Sequence, residues 1–297
     1  MCFLALALAF AADEPNDALA EKMLPVYRKE VAAYHMAVES SPEEALELKK
    51  EPVFEWSNPV RSGVQQGAVF LWLRDGRPAA LCSVFSEPEG RLKGRKVMHE
   101  FHALDREKLR VGRPKAFNKW EPKAGLARTA ITDAPAPANT RPARLIQMRR
   151  LAKQFAGHSL DSNDDRLELR LLPAPLYRYP DAKSGAVDGA LFTLVSESGT
   201  DPEVLLLLEA VESGGKLRWE FACGRFSDRS LYVERKGEPA WSSVRGPENT
   251  FLHDPMHLFR VYPDKVVSLD GKLLANVRAT EEKWWGIFIP VAEEGDR

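Results

Sequence analysis

Two apolar runs, Gln66–Leu73 and Pro78–Ser86, flank the tetrad Arg74-Asp75-Gly76-Arg77. Asp-Gly between such runs predicts a β-hairpin. Both runs are apolar on both faces, as strands inside a sandwich or barrel should be. Before them, Leu19, Met23, Val26, Tyr27, Val31, Tyr34 and Val38 recur at helical spacing. They predict a helix over 17–39, begun or kinked by Pro25. Ser41, Pro42 and Glu44 form a start signal for a second short helix.

Val97–Leu104 reads as a third strand. Periodicity then fades over 105–140, and the proline-rich stretch 134–142 reads as an exposed linker. A junction helix follows, with Thr140 as cap, Pro142 in its first turn and Gly157 just past its end. Its apolar stripe is Leu145, Met148, Leu151, Ala152 and Phe155.

Beyond it, short strands dominate. Candidates are Leu167–Leu172, Ala190–Ser196, Val204–Ala210, Leu217–Cys223, Ser230–Glu234 and Pro239–Ser242, then Leu258–Tyr262, Lys265–Leu269 and Gly286–Ile289. Leu217, Trp219, Phe221 and Cys223 alternate with Arg218, Glu220 and Ala222, the mark of a half-buried strand. The expected class is α+β and β-dominated. Antiparallel sheets, sandwich- or barrel-like, form two halves, with helices at the N-terminus and at the junction. The expected division is 12–130, a linker and junction helix over 131–157, and 158–297.

Residues 2–11 form an apolar run ending in Ala9-Phe10-Ala11, the pattern of a signal-peptide core and its cleavage site, with no basic residues before it. The run is shorter than the roughly 20 residues that a membrane-spanning helix needs. The expectation is a signal-peptide remnant over 1–11, cleavage after Ala11, and a soluble exported protein, periplasmic or extracellular, without a transmembrane span. The alternative is a buried N-terminal element.

Composition changes this picture little. The 297 residues are 44% hydrophobic and 29% charged, with a formal net charge of -1, which excludes wholesale disorder and any global attraction to polyanions. Locally, 91–157 holds 17 Lys+Arg against 5 Asp+Glu. This segment could bind a polyanion or pair with the acidic flanks, and the near-zero total favours internal pairing. Cys2 lies in the signal-like run. Cys82 and Cys223 read as core residues, and the alternative is a bond between them. Each begins a Cys-x-x-Phe-Ser-acid pattern after a Gly-basic turn, a hint of duplication.

Several runs occur together in one order: Glu55-Trp56-Ser57-Asn58-Pro59-Val60-Arg61, His99-Glu100-Phe101-His102, the helix 144–155, Leu171–Tyr179, and Gly199–Glu203 leading into the leucine run and Trp219. In these runs the chain resembles an uncharacterised family of exported bacterial proteins. The resemblance implies export and no particular activity.

No nucleophile elbow, P-loop, dinucleotide fingerprint, H-E-x-x-H or C-x-x-C occurs in the sequence. Two histidine segments remain. On a strand, Glu100 and His102 share a face, where a carboxylate beside an imidazole suits a metal or acid–base chemistry. His253 and His257 have the spacing of one helical face, with Asp254 as a cap before Pro255. His99, Glu100, His102, His253, Asp254 and His257 are therefore the candidate metal ligands. The competing readings are polar residues at a sheet edge and surface histidines at a helix start. Trp284-Trp285 could offer an aromatic face to a sugar or base, or pack as core. The expected function is a non-catalytic binding or structural module of the cell envelope, without a cofactor. The alternative is a metal-assisted hydrolase holding a divalent ion.

Overall fold

The structure, a computed structural model, describes residues 16–59, 63–179, 186–197, 199–246, 254–280, 283 and 286–291. The signal-like run, His253 and Trp284-Trp285 lie outside these residues. The first stretch comprises α1 (Asn16–Ala32), β1 (His35–Val38), β2 (Ser41–Ala45), β3 (Glu47–Leu48), β4 (Phe54–Asn58), β5 (Gln65–Arg74), β6 (Arg77–Glu89), β7 (Gly94–Ala103), β8 (Leu109–Gly112) and β9 (Thr129–Ile131). After α2 (Arg141–Ala152) come β10 (Phe155–Leu160), β11 (Arg166–Leu171), β12 (Tyr177–Arg178), β13 (Ala186–Ser196), β14 (Pro202–Ser213) and β15 (Lys216–Arg225). The chain continues through β16 (Ser230–Arg235), β17 (Glu238–Ser243), β18 (Phe259–Val267), β19 (Leu273–Arg278) and β20 (Ile287–Pro290).

One sheet has the order β20-β19-β18-β7-β6-β5-β3, with β4 also on β5. The other has the order β17-β16-β10-β11-β13-β14-β15-β9, with β12 on β13, and β2-β1-β8 form a small third sheet. Neighbouring strands are antiparallel, as the sequence pattern predicts. The Asp-Gly hairpin is present: Asp75 and Gly76 both take positive φ, 51° and 82°, as a type I′ turn demands. The late strands β18–β20 join the sheet of β5–β7, so sheet membership crosses the linker.

Period-two burial gives each sheet two packed faces. Val69, Leu71, Leu81 and Phe85 of one meet Leu191, Leu205, Leu207 and Phe226 of the other. The far face of the first sheet, with Phe70, Trp72, Cys82 and Phe101, is covered by Met23, Tyr27 and Tyr34 at and beyond α1. The far face of the second, with Phe192, Leu206, Phe221 and Cys223, is covered by Met148 and Leu151 of α2. The second sheet curls strongly. Phe155 on β10 and Phe221 on β15 are four strands apart in the sheet, yet their ring centroids lie 5.1 Å apart.

Cys82 and Cys223, the cysteines among the described residues, are free and buried. They do not bond, because each points into its own helix-covered core and both sheets lie between them. The Cys-x-x-Phe repeat nevertheless occupies matching positions. Cys82 and Cys223 face the helices, while Phe85 and Phe226 face the layer between the sheets.

Local signals were overridden at four places. The N-terminal helix ends at Ala32, because His35–Val38 pair with β8 and bury Met36 and Val38. Ser41–Ala45 form no helix. The segment has no apolar stripe to bury, and it pairs with β1 instead. Gly157 lies within β10 rather than ending α2, and a Cβ there would come within 3.0 Å of the Tyr232 carbonyl. Leu258–Tyr262 and Lys265–Leu269 contribute to one strand, β18, whose register shifts between Pro263 and Lys265.

Some cations of the basic middle pair with carboxylates elsewhere in the chain. Arg106 meets Glu220, Lys108 meets Glu39, and Arg144 meets Asp188 at 2.6, 2.7 and 2.9 Å. Between the sheets, buried Glu209 accepts two hydrogen bonds from Arg77, both 2.7 Å, and others from Arg128 and Tyr179. The proline-rich stretch is mostly exposed but pinned. Gln147 donates to the Ala136 carbonyl, Arg144 to those of Ala138 and Asn139, and Trp219 to that of Pro135.

Candidate functional site

The pleat of β7 divides His99-Glu100-Phe101-His102. His99 and Phe101 point to the α1 side, while Glu100 and His102 point to the layer between the sheets. The four residues therefore form two environments.

On the α1 side, Tyr34 hydroxyl lies 2.6 Å from His99 Nδ1 and 2.7 Å from Tyr262 hydroxyl. His99 Nε2 faces Glu30 Oε2 at 3.6 Å and makes no hydrogen bond. Arg113 donates to both Asp264 oxygens, at 2.6 and 3.1 Å, and to Glu30. Lys265 adds a 2.8 Å contact to Glu30. Burial pushes His99 down to about 4, aided by Arg113 and Lys265. Asp264 is held below its ordinary range, since His99 and Arg113 outweigh the opposing effect of burial.

Glu30, His99 and Asp264 bring three ligand atoms within 4.8 Å of one another, all buried. Their chemistry suits a divalent ion, but their charge does not. Arg113 and Lys265 already neutralise both carboxylates, so a divalent ion would add two unbalanced positive charges to a buried site. A neighbouring cavity of about 220 Å³ reaches Tyr34, Arg113, Asn118 and Trp120.

On the other face, His102 lines a cavity of about 380 Å³ with Arg225, Trp241, Ser243, His257 and Phe259. Four strands and a turn supply these groups. His102 is at the end of β7, directly paired with Phe259 of β18. Arg225 ends β15. The curl of the second sheet brings β17 to it, so that Arg225 Nε donates to Ser243 Oγ at 3.0 Å. Gly224 makes room for the imidazole, since a Cβ there would stand 3.0 Å from His102 Cε1 and Nε2. His102 and His257, one from each histidine segment, thus meet at one cavity.

The protonation of His102 follows from its bond. Nδ1 lies 2.7 Å from the Ala103 carbonyl, which can only accept, so Nδ1 carries the proton and Nε2 a lone pair. Burial pushes the group down to about 4, with Arg225 and Arg128 adding to the effect, so it is neutral near pH 7. Arg225 is itself lowered to about 10 by burial. Its Nη1 donates to the carbonyls of Ser227 and Arg229, at 2.8 and 2.5 Å, and its Nη2 to that of Ser243. Glu100 acts on it electrostatically.

The second histidine segment forms no helix over its described residues. Asp254–His257 lie in a turn, with the Asp254 carboxylate accepting from Met256 N–H at 2.8 Å. Asp254 is half-buried and His257 exposed, with His257 Nε2 3.8 Å from Asp254 Oδ2. Asp264, Arg113 and Ser243 carried no motif, and Arg225 stood only inside the Cys-x-x-Phe-Ser-acid repeat. Glu30 had a signal: a carboxylate on the helix face that also carries Met23 and Tyr27.

Comparison of the chain with protein-family models, curated proteins and solved structures finds no match.

Proposed function

We propose that this chain is a non-catalytic binding module of an exported protein, with the cavity around His102 as its ligand site. One observation supports it above others: the buried imidazole of His102, its Nδ1–H held by the Ala103 carbonyl, lines a cavity of about 380 Å³. Sites for small molecules fall in this size range and combine apolar walls with a few fixed polar groups. Leu126, Leu258 and Phe259 supply apolar walls, and His102 and Ser243 supply polar atoms held by neighbours. Arg225 serves as scaffold, its donors directed to Ser243 Oγ and to the carbonyls of Ser227, Arg229 and Ser243. The signal-like run and the family resemblance support export, and no helix of the described residues is long and apolar enough to cross a membrane.

Protein-observed NMR against a library of small fragments tests this reading. Compounds that bind should shift the signals of His102, Trp241 and His257 together. A library that leaves all three unmoved would refute it.

A second reading, metal-assisted hydrolysis, would need an ion at the Glu30–His99–Asp264 cluster, against the charge balance that Arg113 and Lys265 already set there. Metal analysis of the purified chain after incubation with zinc and dialysis separates the two. A stoichiometric ion, lost on His99→Phe, would support this reading over the first.

A further inference from the structure

We infer that the His102 cavity takes a neutral, hydroxyl-rich ligand, a sugar or a sugar-like polyol; this rests on the binding reading above. His102 is only 3% exposed, its Nδ1–H is committed to the Ala103 carbonyl, and its Nε2 has no hydrogen-bond partner among the described residues. A lone pair in that position requires a donor. Ser243 Oγ already accepts from Arg225 Nε, so its own proton is free to be donated. The site therefore wants a donor at one point and an acceptor at another. A hydroxyl group is both, so a ligand carrying several hydroxyls can meet both needs.

Charge narrows the class further. An anion would meet the His102 lone pair, while the Arg225 donors nearest to it are directed to the carbonyls of Ser227, Arg229 and Ser243. A cation would be brought close to the Arg225 guanidinium. A neutral ligand meets neither penalty. The apolar walls, Leu258, Phe259 and Val244 with Trp241 beside them, suit the C–H face of a sugar ring. About 380 Å³ is sufficient for a ligand of one or two rings.

The test uses glucose and maltose against two charged analogues, glucuronate and glucosamine, with long-range ¹H–¹⁵N NMR of the histidine rings. Saturable shifts of His102 Nε2 with the neutral sugars, and affinities about tenfold weaker for both charged analogues, are expected. Ser243→Ala should weaken the neutral sugars by about tenfold, the value of one hydrogen bond. His102→Gln should do likewise, and Ser243→Ala guards against a His102 variant that fails to fold. Glucuronate or glucosamine binding as tightly as glucose at His102 would overturn the neutral class and leave the cavity a ligand site. Aromatic fragments shifting His102 while no sugar does would overturn it too. Silence from every compound would overturn both this inference and the binding reading.

Discussion

The two faces of β7 place two buried histidines, three residues apart, in opposite circumstances. His99 stands in a charged knot that joins α1, the residue after β8, and β18 through Glu30, Arg113, Asp264 and Lys265. His102 lines a cavity, and its Nε2 has no hydrogen-bond partner among the described residues. Both are pushed down to about 4 by burial, so a titration shift does not separate structure from site. What separates them is room. A polar atom enclosed by charged partners holds elements together, and a polar atom at a cavity wall is available to a ligand.

The largest effect should come from the knot. Arg113→Met would leave two buried carboxylates with Lys265 as their remaining cation, at a cost of about 3–5 kcal/mol, read by urea denaturation. It should leave ligand shifts at His102 unchanged in protein that remains folded. An Arg113→Met cost below about 1 kcal/mol would mean that the knot holds little together.

Acid distinguishes the faces next. Each histidine is depressed from 6.5 to about 4 in the fold. The unfolded chain therefore takes up protons first, and the stability each contributes, complete above about pH 6.5, is lost as pH falls toward 4. By pH 5 each should have lost about 2 kcal/mol. His102→Gln should remove about half of that decline, followed by denaturation at several pH values. A slope unchanged in the variant would show that His102 is not held neutral by burial.

The sequence carried most of the strands and little of the site. Alternation and punctuation placed β5–β7 and β13–β18, because a buried face repeats every second residue and a tight turn needs Asp-Gly or its equivalent. Short elements escaped. Ser41-Pro42 has the chemistry of a helix start, yet that segment has no apolar stripe, and its pairing with β1 is a tertiary fact. Within the site, the local strand pattern pairs Glu100 with His102 and separates His99. That Arg225 and Ser243 meet depends on the curl of a whole sheet, which no window of sequence contains. Gly224-Arg225 was visible only as part of a repeat.

A smaller effect tests the fit around His102. Gly224→Ala sets a methyl group 3.0 Å from Cε1 and Nε2 of a ring already bonded to the Ala103 carbonyl. The ring must shift, at a cost of about 1–2 kcal/mol. The ¹⁵N signal of Nε2 should move and sugar binding should weaken, while the Tyr34–His99 bond on the other face remains. Unchanged stability and an unchanged Nε2 signal would show that Gly224 does not set this approach.

The smallest effect concerns the cysteines, one on each side. Cys82 is sealed in the α1 core at 0% exposure, whereas Cys223, at 4%, borders the cavity. Burial raises both thiols, Cys223 to about 12, so neither supplies much thiolate near pH 7. Reductant should leave the stability of the chain within about 0.5 kcal/mol, since no bond joins them. Differential labelling should mark Cys223 slowly in the native state and Cys82 only after unfolding. A sugar that occupies the cavity should slow the labelling of Cys223 and leave that of Cys82 unaffected. Labelling of Cys82 before Cys223 would reverse the assignment of sealed and open sides, and the absence of thiols in the denatured, unreduced chain would contradict the separation of the two cores.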